Sequence, residues 1–299
     1  MATTWLQRRR NMKTDFSFIR VDDNEDLLYQ TYRLRYKIYC EEKNFLDPKD
    51  YPDGIESDVF DNHSMHFAAL TREGEVIGTM RVILHSDLGF PIEEHCTVLS
   101  DDWNNVPKDK CVEVSRFAVC KSYQRGKDKT IVESGTIRDK LVANIDSLLQ
   151  PVAVEKCHQS MITFGLIRAA YQEAKRLGIT HWYAAMEKRL WYGLNKFFAF
   201  LFHAAGPQID FYGPVTPYIA VVADLERNIY EKKPHVMHDL LTGLERRYRP
   251  KIDELLTEGE LKTGAFFDLQ QLLSAPLNTH YLQVSRSTYA TANLATTCE

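Results

Sequence analysis

The sequence predicts a mixed α+β chain in which strands and helices follow one another irregularly, with antiparallel hairpins near both ends. Three observations carry this. Two apolar runs, Met65–Leu70 and Glu75–Leu84, are joined by T-R-E-G-E, a hairpin signal with Gly74 in the turn. The stretch V-E-V-S-R-F-A-V, Val112–Val119, is rich in β-branched and aromatic residues, the composition of a strand. From His158 to Leu177, apolar residues recur at Ile162, Leu166, Ala169, Ala170 and Ala174, a helical period closed by Gly178. The full order reads strand, helix, three strands, helix, strand, helix, two strands. That is not the regular alternation of a dinucleotide-binding fold, and no G-x-G-x-x-G occurs.

The remaining elements follow from local signals. Phe16–Val21 (F-S-F-I-R-V) reads as a first strand, and Asp22, Asp23 or Asn24 can cap the helix after it. That helix carries Leu27, Leu28, Tyr32, Leu34, Tyr36, Ile38 and Tyr39, with Arg33, Arg35 and Lys37 as solvated charges suited to a helix C-terminus. Phe45–Gly54, with two prolines and a closing glycine, reads as loop. Pro91–Lys110 reads as irregular or partly helical, and Lys121–Lys129 as a polar loop. Ile137, Leu141, Ile145 and Leu148 predict an inserted helix over Ile131–Leu149, ending before Pro151. Thr180–Met186 is a further strand, and Lys188–Ala205 an aromatic-rich helix whose rings belong to the core. Ile209–Tyr212 and Tyr218–Val222 form a hairpin about Gly213-Pro214. Beyond Asp224, helices are expected over His235–Arg249, Ile252–Leu261 and Phe266–Leu273. The domain plan is a flexible tail over 1–15, a main domain over 16–224 with an insertion near 127–157, a helical extension over 225–284, and a Ser/Thr/Ala-rich disordered tail over 285–299.

Composition narrows the function. The chain has 299 residues, 44% hydrophobic and 26% charged, ordinary for a soluble globular protein. Its net charge of -4 argues against a nucleic-acid partner, which selects for basic excess. No apolar run reaches the roughly 18 residues of a membrane span. Arg8, Arg9 and Arg10 have no apolar segment behind them, so a flexible basic tail is expected rather than a signal peptide, with at most peripheral contact to an anionic membrane. Six cysteines show no C-x-x-C spacing, so no metal site is expected, and reduced thiols in the cytoplasm are.

The charges within the predicted strands are the candidate chemistry. Strict alternation over Val112–Val119 leaves Glu113, Ser115 and Arg116 on solvent, but Arg116-Phe117 breaks the two-residue period. A bulge explains the break and would re-aim side chains, as bulges beside active sites do; a surface strand with a salt-bridged Glu and Arg is the plainer reading. Arg81 stands among strand apolars and, if buried, needs carboxylates such as Asp58, Asp61 or Glu113. Glu56, Asp58 and Asp61 form an acidic cluster: a solvated loop, a seat for a cationic amine, or a bidentate partner for an arginine.

Four patterns recur together in the order of a known superfamily: R-x-x-x-Y (Arg35–Tyr39), E-S-D-x-F-D (Glu56–Asp61), G-x-x-R (Gly78–Arg81) and E-x-S-R-F-x-V (Glu113–Val119). On these the chain resembles the GNAT acyltransferases. Within them it is similar to the acyl-homoserine-lactone synthases, the long-chain N-acyl amino acid synthases and the acyltransferases associated with the bacterial PEP-CTERM/exosortase system. The resemblance implies a three-layer α/β/α fold with a mixed, mostly antiparallel central sheet and a small C-terminal helical extension. It implies a polar network of Arg35, Asp58, Asp61, Arg81, Glu113 and Arg116 beside a catalytic cleft. The lactone synthases have Phe where this chain has Tyr39 and Trp where it has Phe45, differences at the acceptor end. In the superfamily the segment after the fourth strand binds the donor's pantetheine or pyrophosphate, which here implicates Phe117, Ala118, Val119 and the Q-R-G run Gln124, Arg125 and Gly126.

The implied reaction is transfer of a long-chain acyl group from an acyl carrier protein or coenzyme A thioester to an amine, with no tightly bound cofactor. Glu113 would receive the amine proton, and backbone N–H groups around Phe117–Val119 would face the oxyanion. The arginines would orient carboxylates or bind an acceptor carboxylate. Trp182, Phe117 and the Trp191–Phe202 helix would line a slot for the chain. An acyl-homoserine-lactone synthase and a non-catalytic acyl-ligand sensor are the alternatives.

Overall fold

A computed structural model describes residues 16–96, 106–121 and 151–255. In chain order the elements are β1 (Ser17–Arg20), α1 (Glu25–Tyr36) continuing into a π-helical turn (Lys37–Glu42), β2 (Ser64–Leu70), β3 (Val76–Leu84), α2 (Pro91–His95), β4 (Cys111–Val119), α3 (Pro151–Arg176), β5 (His181–Met186), α4 (Lys188–Phe198), β6 (His203–Ala204), β7 (Ile209–Asp210), β8 (Pro214–Val221), α5 (Val222–Lys232), α6 (Pro234–Leu241) and α7 (Ile252–Leu255). The strands hydrogen-bond in the order β1-β2-β3-β4-β5-β8-β6, with β7 also on β8. Four of the strand pairs, β1–β2, β5–β8, β6–β8 and β7–β8, are antiparallel, and β4–β5 is parallel, so the sheet is mixed and mostly antiparallel. The described residues divide into two compact units.

The first unit falls within Met1–Ser57, His66–Met80 and Arg116–Ala169. Asn24 caps α1 by accepting the Leu27 N–H, and Glu25 and Asp26 in the first turn complement the helix dipole. α1 turns Leu34 and Ile38 onto Val21, Ala68, Leu70, Val76 and Ala118, the core of this unit. Here α3 needs a strand surface without a side chain: a Cβ on Gly78 would lie 3.0 Å from Ile162 Cγ2 and 3.4 Å from the Ala118 carbonyl. Asp22 anchors the start of β2 by accepting from His66 at both its backbone N–H and Nδ1.

The second unit falls within Asp58–Met65, Arg81–Ser115 and Ala170–Glu299. β5 is its axis, parallel to β4 over Cys111–Glu113 and antiparallel to β8 along its whole length, His181↔Val221 to Met186↔Thr216. Ile83, Phe90, Ile92, Cys111, Tyr183 and Ile219 form the core, and Phe90 meets the Tyr183 ring edge-on at 5.5 Å. α5 is held by a buried polar contact in which Tyr171 donates to Glu226, which also pairs with Lys175 at 2.8 Å.

Several element limits differ from the sequence reading. α3 begins at Pro151, seven residues before His158; proline suits a helix start, where its missing N–H has no intrahelical partner. The helix expected over Lys188–Ala205 stops at Phe198, because Ala199 adopts a left-handed conformation (φ 57). Residues beyond it pair instead as β6 with β8. Its rings do not all enter the core: Tyr192 and Phe197 are 56% and 45% exposed. α5 has no counterpart among the expected helices, although Val222, Leu225 and Ile229 share one helical face. α6 ends at Leu241, just before Gly243, so the helix expected to Arg249 is shorter; α7 opens the next expected helix, whose residues 256–261 lie outside the described ones. The inserted helix, the Phe266–Leu273 helix and both tails lie outside the described residues, as do Gln124, Arg125 and Gly126. Among the described residues no helix is long and apolar enough to cross a membrane, and no cluster of three metal-ligating side chains occurs.

Phe90 supports both the Tyr183 core and the turn leading to Ile92. Phe90→Ala should lower unfolding free energy by about 3–5 kcal/mol in a denaturant titration, the cost of truncating a buried aromatic.

Candidate active site

The first unit brings Arg35, Tyr39, Glu56 and Arg116 together. Arg35 lies on the inward face of α1 with no exposed surface, so it is not the solvated helix-end charge that the sequence suggests. Its Nε donates to Glu56 Oε2 at 2.5 Å. Arg116 Nε spans both oxygens of the same carboxylate, 3.0 Å to Oε1 and 3.2 Å to Oε2, and its Nη2 lies 3.0 Å from Oε1. Glu56 is wholly buried, and its own N–H donates to the Tyr32 carbonyl at 3.2 Å. Burial works to raise the Glu56 carboxyl, but the Arg35 and Arg116 charges and their hydrogen bonds outweigh it and hold the group below its ordinary value.

Arg116 is also where β4 departs from regular geometry. Its φ is 49, left-handed backbone that a non-glycine residue adopts at a cost. The broken period in the sequence therefore marks a real kink. The plainer reading, a surface strand with Glu113 and Arg116 paired to each other, is overturned: Arg116 takes Glu56 and Glu113 is buried. Tyr39 donates its hydroxyl to the carbonyl of Phe117, the next residue, at 3.0 Å, and its ring packs against Phe45 at 6.2 Å.

The second unit brings Arg81, Asp58, Asp61 and Ser115 together. Arg81 is 1% exposed; Nη1 donates to Asp58 Oδ1 at 2.6 Å and Asp61 Oδ1 at 2.9 Å, and Nε to Ser115 Oγ at 2.9 Å. The two aspartates are set in place before the arginine arrives by a short 3-10 turn, Val59–His63. Asp58 caps it by accepting the Phe60 N–H, and Asp61 Oδ2 accepts the Asp58 N–H at 2.7 Å. Of the candidate partners for Arg81, Asp58 and Asp61 hold it, while Glu113 Oε2 accepts the Ile92 N–H at 3.0 Å. Glu113 is 3% exposed, and after burial its charge is the further reason the Cys96 thiol is pushed up to about 11.

Trp182 is buried between Val112 and Ala220 in the sheet register, and its indole N–H has no hydrogen-bond partner among the described residues. Phe117, Ala118 and Val119 close β4 beyond the kink. Glu56 and Ser115 are the two members of these clusters that the candidate list lacked. Glu56 belongs to E-S-D-x-F-D and performs one proposed role for that cluster, bidentate binding of an arginine, toward Arg116, while its Oε2 also accepts from Arg35.

Residues 34–132 match the family model of the acetyltransferase (GNAT) domain. That match spans about a third of the chain. The matched stretch contains both arginine–carboxylate clusters and Glu113, and Trp182 lies beyond it. The chain is also similar to solved structures. One is TofI in a ternary complex with an inhibitor and MTA, 15% identical, covering 75% of this chain and 100% of that one, TM-score 0.49. Another is the CoA-dependent acyl-homoserine lactone synthase BjaI with SAM and isopentyl-CoA, 19% identical, covering 80% and 96%, TM-score 0.47. A third is FeeM, an N-acyl amino acid synthase from uncultured soil microbes, 12% identical, covering 73% and 96%, TM-score 0.45. Comparison with curated proteins finds no match.

Two expectations follow for the Glu56 clamp. Glu56→Gln leaves two arginines without their shared counter-charge and should destabilise the protein by about 3–5 kcal/mol in denaturant. Because the folded carboxyl binds its proton less tightly than the unfolded one, the clamp contributes fully above the ordinary value of 4.5 and fades as pH falls through the lower folded value. The stability gap between wild type and Glu56→Gln should therefore narrow on the acid side of that value, measured by urea unfolding at a series of pH values.

Proposed function

We propose that this acyltransferase moves a long-chain acyl group from a thioester, carried by acyl carrier protein or coenzyme A, to the nitrogen of an amine such as an amino acid. One observation supports it above the others: β4 presents a buried carboxylate, Glu113, three residues before a kink at Arg116, and its parallel pairing with β5 spans only Cys111–Glu113 of the strand. Aminolysis of a thioester needs an acceptor for the amine proton, the role proposed for Glu113.

In the proposed reaction the neutral amine attacks the thioester carbonyl, a C–N bond forms and the C–S bond breaks. The amine proton passes to Glu113, directly or through water, and then to the departing thiolate, so thiol and amide leave. Glu113 Oε2 accepts the Ile92 N–H, which orients the carboxylate. Backbone N–H groups over Phe117–Val119 face the oxyanion in this proposal. Arg35, Arg81 and Arg116 serve by orienting carboxylates, since each guanidinium is already paired in its own cluster. Seating the two reactants contributes about 7–11 kcal/mol of barrier reduction. Tyr39 and Phe45 shape the acceptor end, with Asp58 and Asp61 as further acceptor contacts. Gln124, Arg125 and Gly126 would serve the donor. Trp182, whose unpaired N–H suits a polar atom of the donor, borders the acyl chain. Four free cysteines among the described residues fit a reducing compartment, and we place the reaction in the cytoplasm.

Purified protein should release thiol from long-chain acyl thioesters only when an amine is supplied, with the N-acyl product found by mass spectrometry. Glu113→Gln should lower kcat by about 10²-fold or more while leaving donor KM within about twofold. Thermal stabilisation by acyl thioester without thiol release would instead make the protein an acyl-ligand binder, and reaction confined to S-adenosylmethionine would make it a lactone synthase.

A further inference from the structure

We propose that the hydroxyl of Tyr39 is a positioning group for β4: it holds the Phe117 carbonyl so that the strand keeps its kink at Arg116. The catalytic consequence rests on the acyl-transfer reading above; the mechanical one does not.

The kink needs a restraint. Left-handed backbone is unfavourable for an arginine, and it persists only where surrounding contacts over-determine it. Glu56 restrains the Arg116 side chain, but a guanidinium at the end of a flexible stem does not by itself fix the orientation of the following peptide. The Phe117 carbonyl is where a second restraint acts directly on the main chain, and the Tyr39 hydroxyl is there at 3.0 Å. Because a peptide group is planar, fixing that carbonyl fixes the plane of the Phe117–Ala118 linkage.

Tyr39 is itself unusually well held. It lies in the π-helical turn Lys37–Glu42, where the Lys43 N–H reaches back to the Ile38 carbonyl. The extra residue per turn moves burial off the α-helical stripe of Thr31, Leu34, Arg35 and Ile38 and onto Cys40, and it brings Tyr39 against the core. The Tyr39 carbonyl accepts from both Phe45 N–H at 2.8 Å and Leu46 N–H at 3.3 Å. Phe45 packs on its ring, and the Arg116 guanidinium lies 5.7 Å from the ring centroid. Phe45 thus holds both the ring and the carbonyl, the ring also lies beside the Arg116 side chain, and the hydroxyl is the group that meets the β4 main chain.

Tyr39→Phe keeps the ring and removes the hydroxyl alone. Three measurements on the full chain test the proposal: thermal unfolding, hydrogen exchange of the Arg116–Val119 backbone amides, and steady-state kinetics with a long-chain acyl thioester. The expected result is a melting temperature within a few degrees of wild type, exchange at those amides about tenfold faster, and kcat reduced about tenfold. Unchanged exchange overturns the proposal. A large drop in melting temperature with exchange accelerated throughout the first unit also overturns it, because that is the signature of a core residue. If wild type releases no thiol at all, the acyl-transfer reading fails, and the exchange result still decides whether Tyr39 holds the kink.

Discussion

A carboxylate with no contact to water is tolerable only while its charge is answered on the spot, and Glu56 is answered twice. Arg35 from α1 meets Oε2, and Arg116 from β4 meets both oxygens. Coulomb attraction is strong where water is excluded, so the three groups bind the helix, the loop before the 3-10 turn and the far end of β4 into one arrangement. Such a cluster is weak evidence for net stability, because desolvating its members is costly. It is stronger evidence for uniqueness of geometry: any conformation that separates the groups leaves a buried charge alone.

The Arg81 cluster solves the same problem with local structure. Its aspartates are three residues apart on one 3-10 turn that they cap themselves, so much of the ordering entropy is spent by the turn before Arg81 is added. Ser115 takes the remaining Nε. β4 therefore carries, within four residues, a carboxylate held by a backbone amide, a hydroxyl on one arginine and an arginine clamped to Glu56. Each of these side chains has a partner that orients it. Groups held to a fraction of an ångström before substrate arrives are the basis of rate acceleration by positioning and by preorganised dipoles.

How much of this the sequence disclosed depends on how far each interaction reaches along the chain. The Asn24 cap, the Gly74 hairpin and the β4 strand were readable because capping, turn and alternation signals act over a few residues. The end of α4 was not, because a left-handed alanine has no sequence mark; pairing of the following segment with β8 imposed it. α5 was passed over although its apolar spacing was present, because Val222 continues a strand pattern. The kink at Arg116 was visible as a broken period. Arg35 read as a helix-end cation, since its position favours that and nothing nearby in sequence announces a carboxylate twenty-one residues later. Arg81 was recognised as needing an acid, and two of the three acids offered proved to be its partners.

By itself, then, the sequence determined what short-range physics decides: element types, most turns, the four motifs and the inventory of charges. Tertiary structure alone decided how those charges are matched and which are dry, that Glu56 serves two arginines, and that a tyrosine in a π-helical turn meets the carbonyl after the kink. The reason is that desolvation and ion pairing depend on distance through space, and residues 39, 56 and 117 become neighbours only after the core has closed around them.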